Sequence, residues 1–380
     1  MAATITPSRD LAAAGETAMD LQLLEQTLAN RGEPAFRARQ IWRWAAAGAR
    51  GFDEMTDLPT GLRDALAGEV PFSSLTLRSE AHARDGTVKA LFATADERPL
   101  EAVLMRYRDG RSSICVSSQS GCPLTCTFCA TGRMSFARNL SVSEIVEQAL
   151  HFRRMEGPPR ARAASRTNGA SRRSNGAGRP ITNCVFMGMG EPMLNIENVL
   201  AACERLPDLG ITHRRTAIST VGWIPGIERL AEQDMPLRLA LSLHAADEAL
   251  RSQLMPVNDR YPLADVIDAC RAFYERKRRR VFVEYVMLAG VNDSYEQALA
   301  LARVLSPRRE GVPPIFKVNL IPYNPTASED SDPYRGSTRE SIAAFQTALE
   351  SRGIPATVRL TRGRDIDAAC GQLAARTSLG

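Results

Sequence analysis

The hydrophobic pattern divides the chain into two stretches with different periods. Between about residues 18 and 95, apolar residues first recur at helical spacing and then alternate as in short strands. The helical spacing covers Leu21–Leu28, Phe36–Trp44 and Leu62–Leu66, and the alternation runs from Phe72 to Thr94. This change of period predicts a small helical accessory domain over residues 18–95.

From about Ser112 onward, short β-branched runs alternate with amphipathic segments. The runs that read as strands are Ser113–Ser117, Asn183–Met189, Thr216–Thr220, Leu237–Leu243, Val281–Leu288 and Phe316–Ile321. The helical segments between and after them are Val142–Met155, Ile196–Leu206, Ile224–Glu232, Leu263–Arg276, Tyr295–Leu305 and Arg339–Ser351. Such alternation predicts an α/β fold with a parallel sheet. Six repeats are too few for a closed eight-stranded barrel, so we expect a partly open (β/α)6 barrel over residues 96–380.

Two helix starts carry the capping-box pattern, with Ser141 before Glu144 and Ser337 before Glu340. In barrels of this kind the ligand binds at the carboxyl ends of the strands. Residues 1–17 lack the pattern of a secretory signal, and we expect a disordered leader there. Residues 157–180, rich in Gly, Ser, Asn and Arg, predict a flexible insert to which no chemistry is assigned.

Composition and charge indicate the cellular environment and the class of partner to expect. No run of 18 or more apolar residues occurs, so no membrane span is expected. Eight cysteines in a long chain without a secretory signal favour a reducing cytoplasm over a disulfide framework. The net charge of +5 is only mildly basic, but the run Arg276–Arg280 and the acid-free insert suit a polyanion such as RNA. The alternative for each run is a solvated face.

Three cysteines in one short loop carry the clearest chemistry. Cys122, Cys126 and Cys129 offer three thiolates, and Phe128 precedes the last of them. Thiolates select zinc, Cu(I) or iron–sulfur clusters, and a structural zinc site normally closes with four protein ligands. Three cysteines suit a [4Fe–4S] cluster with one iron open to a ligand. A zinc loop completed by a distant Cys or His is the alternative.

Small and polar residues stand at the predicted carboxyl ends of several strands. Glycine allows a ligand to approach the backbone closely, and hydroxyl, imidazole and amide groups suit a nucleoside ligand. Taken singly, each of these residues also fits a strand cap or a turn. The candidates for cofactor binding are Gly190, Glu191, Ser219, Ser242, Leu243, His244 and Asn324.

The cysteine spacing resembles the motif of the radical S-adenosylmethionine (SAM) superfamily. Cys115, just before the cysteine loop, and Cys370, near the C-terminus, extend the likeness. Together with the segments Gly188–Pro192 and Ser242–Ala245, they make nearly the whole chain, from about residue 20 to 376, resemble the RlmN family of RNA methyltransferases. The resemblance implies the partial radical SAM barrel and, over residues 18–95, an accessory domain that binds RNA. It also implies a [4Fe–4S] cluster on Cys122, Cys126 and Cys129, and two SAM molecules per turnover.

The resemblance also implies the reaction, methylation of C2 of adenine 2503 in 23S rRNA and of adenine 37 in tRNA. In that scheme Cys370 takes a methyl group from one SAM, and a 5′-deoxyadenosyl radical from the second activates it for addition to adenine. Cys115 then attacks the Cys370 sulfur, which releases the RNA and leaves a disulfide for reduction. Glu101 aligns with a proposed proton acceptor, a role that Cys115 could also fill. Arg362 and Arg364 are expected to favour ionisation of Cys370.

Several alternatives stay open at this point. A related class methylates C8 of the same rRNA adenosine and has the same cysteines. A non-catalytic zinc-containing RNA-binding protein and a radical SAM enzyme acting on a small molecule are the others. The expected partners are 23S rRNA, tRNA and an electron donor such as flavodoxin or ferredoxin, and the expected state is a monomer.

Overall fold

A computed structural model of the protein describes residues 5–6, 20–156, 180–307, 313–326 and 331–374. Within these ranges, one sheet has eleven strands and a second has two. The strands in chain order are β1 (Ile5–Thr6), β2 (Leu75–His82), β3 (Val88–Thr94), β4 (Pro99–Arg106), β5 (Ser112–Cys115), β6 (Gln119–Ser120), β7 (Arg138–Asn139), β8 (Ile181–Phe186), β9 (Thr216–Thr220), β10 (Arg238–Ser242), β11 (Val281–Met287), β12 (Phe316–Pro322) and β13 (Ala356–Val358).

The described residues also form ten α-helices. In chain order these are α1 (Leu21–Asn30), α2 (Phe36–Ala47), α3 (Thr60–Glu69), α4 (Val142–Glu156), α5 (Ile196–Arg205), α6 (Ile224–Glu232), α7 (Glu248–Leu254), α8 (Leu263–Lys277), α9 (Tyr295–Leu305) and α10 (Arg339–Glu350). None of the described helices is long and apolar enough to cross a membrane.

The parallel half of the large sheet follows the chain, in the order β5-β8-β9-β10-β11-β12-β13. Each of the six predicted strands overlaps one of the first six members of this series, and helices connect them. The sheet is open, with β1 and β13 as its edges among the described residues. The predicted partial (β/α)6 barrel is confirmed. The short elements β13 and α7 went unpredicted, because three and seven residues show too little periodicity.

An antiparallel half continues the same sheet through β1-β2-β3-β4-β5. Residue 95, the predicted domain boundary, lies in the turn between β3 and β4, where Leu91 pairs with Glu101 and Phe92 with Leu100. Backbone hydrogen bonds therefore run across this position, and the sheet does not divide there. The leader falls mostly outside the described residues, as does the insert apart from Pro180.

Helices α1–α3 pack against the barrel through specific contacts. The Leu21 N–H donates to Ser143 Oγ at 3.1 Å, and Trp42 Nε1 donates to Asp208 at 2.6 Å. Ile41 and Trp42 are buried, so their face of α2 packs against the core, as expected for an amphipathic helix, whereas Phe36 at its start is exposed. Arg39 and Arg43 on the same helix are exposed.

One of the two capping predictions is confirmed and the other is shifted. At α4, the Ser141 N–H donates to Glu144 at 2.8 Å and the Glu144 N–H donates to Ser141 Oγ at 3.2 Å, which is a complete capping box. At α10 the cap is Thr338, whose Oγ1 accepts from the Ser341 N–H at 3.1 Å. The helix starts one residue later than Ser337 predicts, because the threonine hydroxyl is the group that reaches the free N–H.

Candidate active site

The three cysteines lie in a loop that follows β6 and is held on several sides. The Thr127 N–H donates to Leu254 O at 3.0 Å, and the Ala130 N–H donates to Gly371 O at 2.8 Å. A side chain at Gly132 would meet Cys126 O at 2.8 Å, which is closer than a Cβ atom tolerates. Cys126 is buried and the other two cysteines are half-buried. The C-terminal segment and α7 thus fix the loop in one conformation.

A cavity of about 1040 Å³, open to solvent, lies above this loop. We call it the first cavity. Nine of the residues predicted to carry chemistry line it, namely Cys122, Cys126, Cys129, Gly190, Glu191, Ser219, Ser242, His244 and Cys370. Four other predicted residues, Cys115, Glu101, Leu243 and Asn324, are not among the residues that line it.

Glu191 forms one polar wall of the first cavity. Its two carboxylate oxygens accept from the Met193 N–H and the Val221 N–H, each at 3.0 Å, and its own N–H donates to Gln119 at 2.8 Å. Burial raises the pKa of Glu191 to about 7. Gly190 before it has φ +94° and lies against Gln119, so a side chain there would be both strained and blocked. This turn brings the backbone and a carboxylate to the cavity surface.

Two hydroxyls and an imidazole form the opposite wall. Ser219 Oγ and Ser242 Oγ are 3.3 Å apart at the ends of neighbouring strands. His244 Nδ1 accepts from the Val286 N–H at 3.0 Å, and burial lowers the pKa of His244 to about 3. The ring is therefore neutral, and its Nε2 carries the proton. Leu243 is fully buried, with its N–H donating to Glu284 O at 3.0 Å.

The donor set fits an iron–sulfur cluster. None of the three loop cysteines forms a disulfide. Burial raises the pKa of Cys122 to about 12 and that of Cys126 well above its usual range, so both are neutral thiols unless a cation binds them. No three Cys, His, Asp or Glu side chains in the described ranges lie close enough to hold a single metal ion. Thiolates spread over separate irons of a cluster do not require such convergence.

A buried arginine lies behind the cysteine loop. Arg251 of α7 is fully buried and donates to Val221 O at 2.6 Å and to Asn258 Oδ1 at 2.5 Å, while its Nε has no hydrogen-bond partner. Burial lowers the pKa of Arg251 to about 10, so it stays charged at neutral pH, and its charge acts on Cys126. A fixed cation here favours anionic ligands in the loop.

A second cavity of about 840 Å³ adjoins the first. Cys115, at the end of β5, and Asn324, after β12, line it, and Cys370 lines both cavities. Asn324 Nδ2 donates to Cys370 O at 3.2 Å, and its buried Oδ1 has no hydrogen-bond partner. The sequence grouped Asn324 with the residues expected to bind the cofactor, whereas the structure places it in the second cavity with Cys115 and Cys370.

The charged neighbour of Cys370 is a residue that the sequence analysis missed. Desolvation raises the pKa of Cys370 to about 11, and Arg359 opposes that rise. Arg359 is paired with Glu284 at 3.0 Å. Arg362 also lines the second cavity but lies 3.6 Å from Asp85, and the main charges that act on the Cys370 thiol are those of Arg359 and Glu284. Arg359 follows β13, a strand that no periodicity predicted, so the sequence did not indicate it.

Glu101 is buried in β4 and borders neither cavity. Its carboxylate lies 2.9 Å from Lys89 Nζ and accepts from the Ala374 N–H at 2.9 Å. Leu373, next to Ala374, lines both cavities. Glu101 therefore anchors the segment that carries Cys370. Cys184, Cys203 and Cys270 are buried thiols, in agreement with the structural role expected for them.

Comparison with known proteins agrees with this geometry. A model described as the ribosomal RNA large subunit methyltransferase N-terminal domain matches residues 17–70, and one described as the radical SAM superfamily matches residues 173–302. A crystal structure of a radical SAM methyltransferase from Sphaerobacter thermophilus has a TM-score of 0.81 and 44% identity, covering 94% of this chain and 98% of that one. The protein is thus a member of the radical SAM superfamily, which implies a [4Fe–4S] cluster and SAM.

Full-length relatives define the family. A probable dual-specificity RNA methyltransferase RlmN from Chloroflexus aurantiacus is 47% identical over 95% of this chain and 92% of its own length. The dual-specificity RNA methyltransferase RlmN of an Anaeromyxobacter species is 43% identical, with 95% and 91% covered. The chain belongs to the RlmN family.

Proposed function

We propose that the protein methylates C2 of adenosine in RNA, with 23S rRNA and tRNA as substrates. The names of its relatives support RNA methylation. The position of Cys370, on the wall of both cavities, carries the finer proposal. A thiol in that position can take a methyl group on one side and deliver it on the other.

In this proposal the first cavity holds the cofactors. Cys122, Cys126 and Cys129 would bind the cluster, and Glu191 would accept a hydrogen bond from the amino group of SAM. Ser219, Ser242 and the Nε2–H of His244 supply hydrogen bonds for the remaining polar groups of that ligand. When bound, the reduced cluster and SAM supply a 5′-deoxyadenosyl radical, and a protein such as flavodoxin or ferredoxin supplies the electron.

Cys370 acts as the methyl carrier. Its thiolate, the competent nucleophile, would attack the methyl carbon of one SAM; S-adenosylhomocysteine leaves, and Cys370 becomes a thioether. Arg359 favours the thiolate and offsets the nearby Glu284 carboxylate. Removal of a hydrogen atom from this methyl group gives a carbon radical that adds to adenine C2, an electron-poor carbon that offers no nucleophile for a polar transfer.

The second cavity receives the adenine. Cys115 and Cys370 both line it, so the two thiols face the same space. The adduct radical would lose the C2 proton and one electron, with the oxidised cluster as the electron acceptor. Cys115 then attacks the Cys370 sulfur, the carbon–sulfur bond breaks, and the methylene carbon left on the RNA takes up a proton to become a methyl group. Two electrons and two protons then restore both thiols from the disulfide. Asn324 offers its unpartnered Oδ1 to the base, and Glu101 acts as a positioning residue through Ala374.

Mapping the methylated position in RNA tests this proposal. A strain without this gene, and the same strain carrying it, should differ in 2-methyladenosine in digested 23S rRNA and tRNA, measured by chromatography and mass spectrometry. A product at C8 alone would overturn the C2 assignment. Iron and sulfide analysis of anaerobically purified protein separates the zinc-protein alternative, since that protein would hold stoichiometric zinc and no sulfide.

A further inference from the structure

Basic side chains gather at the end of the barrel opposite the two cavities. Three segments meet there, each at the amino end of a parallel strand. They are the turn before β9, the start of β10 and the end of α8 with the residues that precede β11. Their cations are Arg214, Arg215, Arg238, Arg276, Lys277, Arg278, Arg279 and Arg280, which we call the basic end.

The arginines of the basic end are not neutralised by neighbouring acids. None of the seven forms an ion pair with a described residue. Asp234 lies close enough to act on Lys277, and Glu275 precedes the run in sequence. The cations also lie close together, since the turn that holds Arg214 and Arg215 contacts β10, and β10 in turn pairs with β11. Keeping like charges together without partners is unfavourable unless an anion binds them.

The chemistry of the basic end indicates which anion fits. Guanidinium groups bind phosphate oxygens in pairs, which is why arginine dominates phosphate recognition. A membrane surface or a protein interface would need exposed apolar groups as well. The large apolar side chains exposed in the described ranges are Leu23, Phe36, Phe136, Tyr295, Val358 and Leu360, and none belongs to the three segments.

We propose that the basic end is a second RNA-contact surface, which binds the phosphate backbone of a helical arm distant from the target adenosine. This rests on the proposed function. The strand β11 has seven residues, so the basic end lies roughly 20 Å from the cavities. Only an RNA large enough to pass around the barrel can contact both ends, and recognition therefore selects folded RNA over a short stem-loop.

The test uses anaerobic holoenzyme and the charge-removing variant R276Q/R280Q. Both side chains are exposed and lie outside the catalytic machinery. With full-length tRNA we expect roughly ten-fold weaker binding and a slope of log K against log salt that is shallower by about 1 or more. The kcat/KM for an isolated anticodon stem-loop should stay at the wild-type value. The matched control R303Q/R339Q removes two exposed arginines from α9 and α10. It should change neither the binding of full-length tRNA nor the kcat/KM for the stem-loop.

The charge-reversal variant R276E/R280E should enlarge the effect on full-length tRNA. The proposal would be overturned if R276Q/R280Q and R276E/R280E both bound full-length tRNA with wild-type affinity and salt slope. It would also be overturned if the control variant lost as much tRNA affinity, or if the activity on the stem-loop fell as far. If the wild-type enzyme methylates neither RNA, the proposed function fails, yet the binding arm still decides whether the basic end contacts RNA.

Discussion

The two cavities share one wall but differ in how they are built. The first is lined by the cysteine loop and by the ends of β9 and β10, and most of its polar groups belong to sequence motifs. The second is lined mainly by β4, by the segment after β13 and by the C-terminal segment, and of its two charged lining residues, Arg359 and Arg362, the one that acts on Cys370 is Arg359, which belongs to no motif. Cysteine and glycine motifs therefore reveal cofactor chemistry, whereas the surface that faces the substrate depends on tertiary packing.

The largest expected effect comes from removing the cluster ligands. The variant Cys126→Ala deletes one of three thiolates in the first cavity, and we expect iron to fall from about four atoms per chain to near zero. Methylation should be lost with it. Cys270→Ala, a buried thiol on α8, is the control and should keep its iron. Iron and sulfide retained at the wild-type level in Cys126→Ala would show that the loop does not hold the cluster.

Removing Cys370 or Cys115 should separate the methyl transfer from cluster binding. Cys370→Ala is expected to keep its iron and yet form no methylated RNA, because the methyl carrier is gone. Cys115→Ala should accumulate a covalent protein–RNA adduct, visible as a shifted band after denaturing electrophoresis. Turnover at the wild-type rate in Cys370→Ala would exclude the covalent scheme, and turnover without adduct in Cys115→Ala would remove that thiol from it.

A smaller effect, about ten-fold, is expected from the cation beside Cys370. In Arg359→Gln the Glu284 carboxylate is left facing the thiol, so the pKa of Cys370 should rise further. For each pH unit by which that pKa rises, the thiolate fraction at neutral pH should fall about ten-fold. Alkylation of Cys370 by iodoacetamide, followed by intact-protein mass spectrometry, measures this fraction. Because the pKa of about 11 lies above neutrality, the rate should increase with pH in both proteins.

Two variants make the Arg359 measurement decisive. Arg359→Lys keeps the charge and should recover most of the alkylation rate. Arg362→Gln removes the cation that sequence favoured but that lies beside Asp85, and it should alkylate as the wild type does. Equal rates for Arg359→Gln and wild type at every pH would show that Arg359 does not act on the thiol.

What could be predicted from the sequence, and what could not, follows the same division between motif residues and residues placed by tertiary packing. The six main parallel strands could be predicted because each is a buried apolar run between amphipathic helices. The location of the motif residues around the first cavity could then be predicted as well, since parallel strands end at one edge of the sheet. Arg251 could not be found, because a lone arginine in a seven-residue helix carries no signal of burial. Nor does the spacing of Glu101 and Ala374 show that they meet at 2.9 Å.

The smallest expected effect is a loss of SAM affinity that is restricted to the first cavity. Ser219→Ala removes one hydroxyl from the wall that we assign to SAM and leaves Ser242, 3.3 Å away, in place. Losing one hydrogen bond of about 0.5–1.5 kcal/mol should raise the Kd for SAM about two- to ten-fold. Calorimetry on the holoenzyme measures this, with Ser306→Ala at the end of α9 as the control. The alkylation rate of Cys370 should not change. If that rate falls while SAM binding is unaffected, Ser219 serves the second cavity and the division between the two cavities fails.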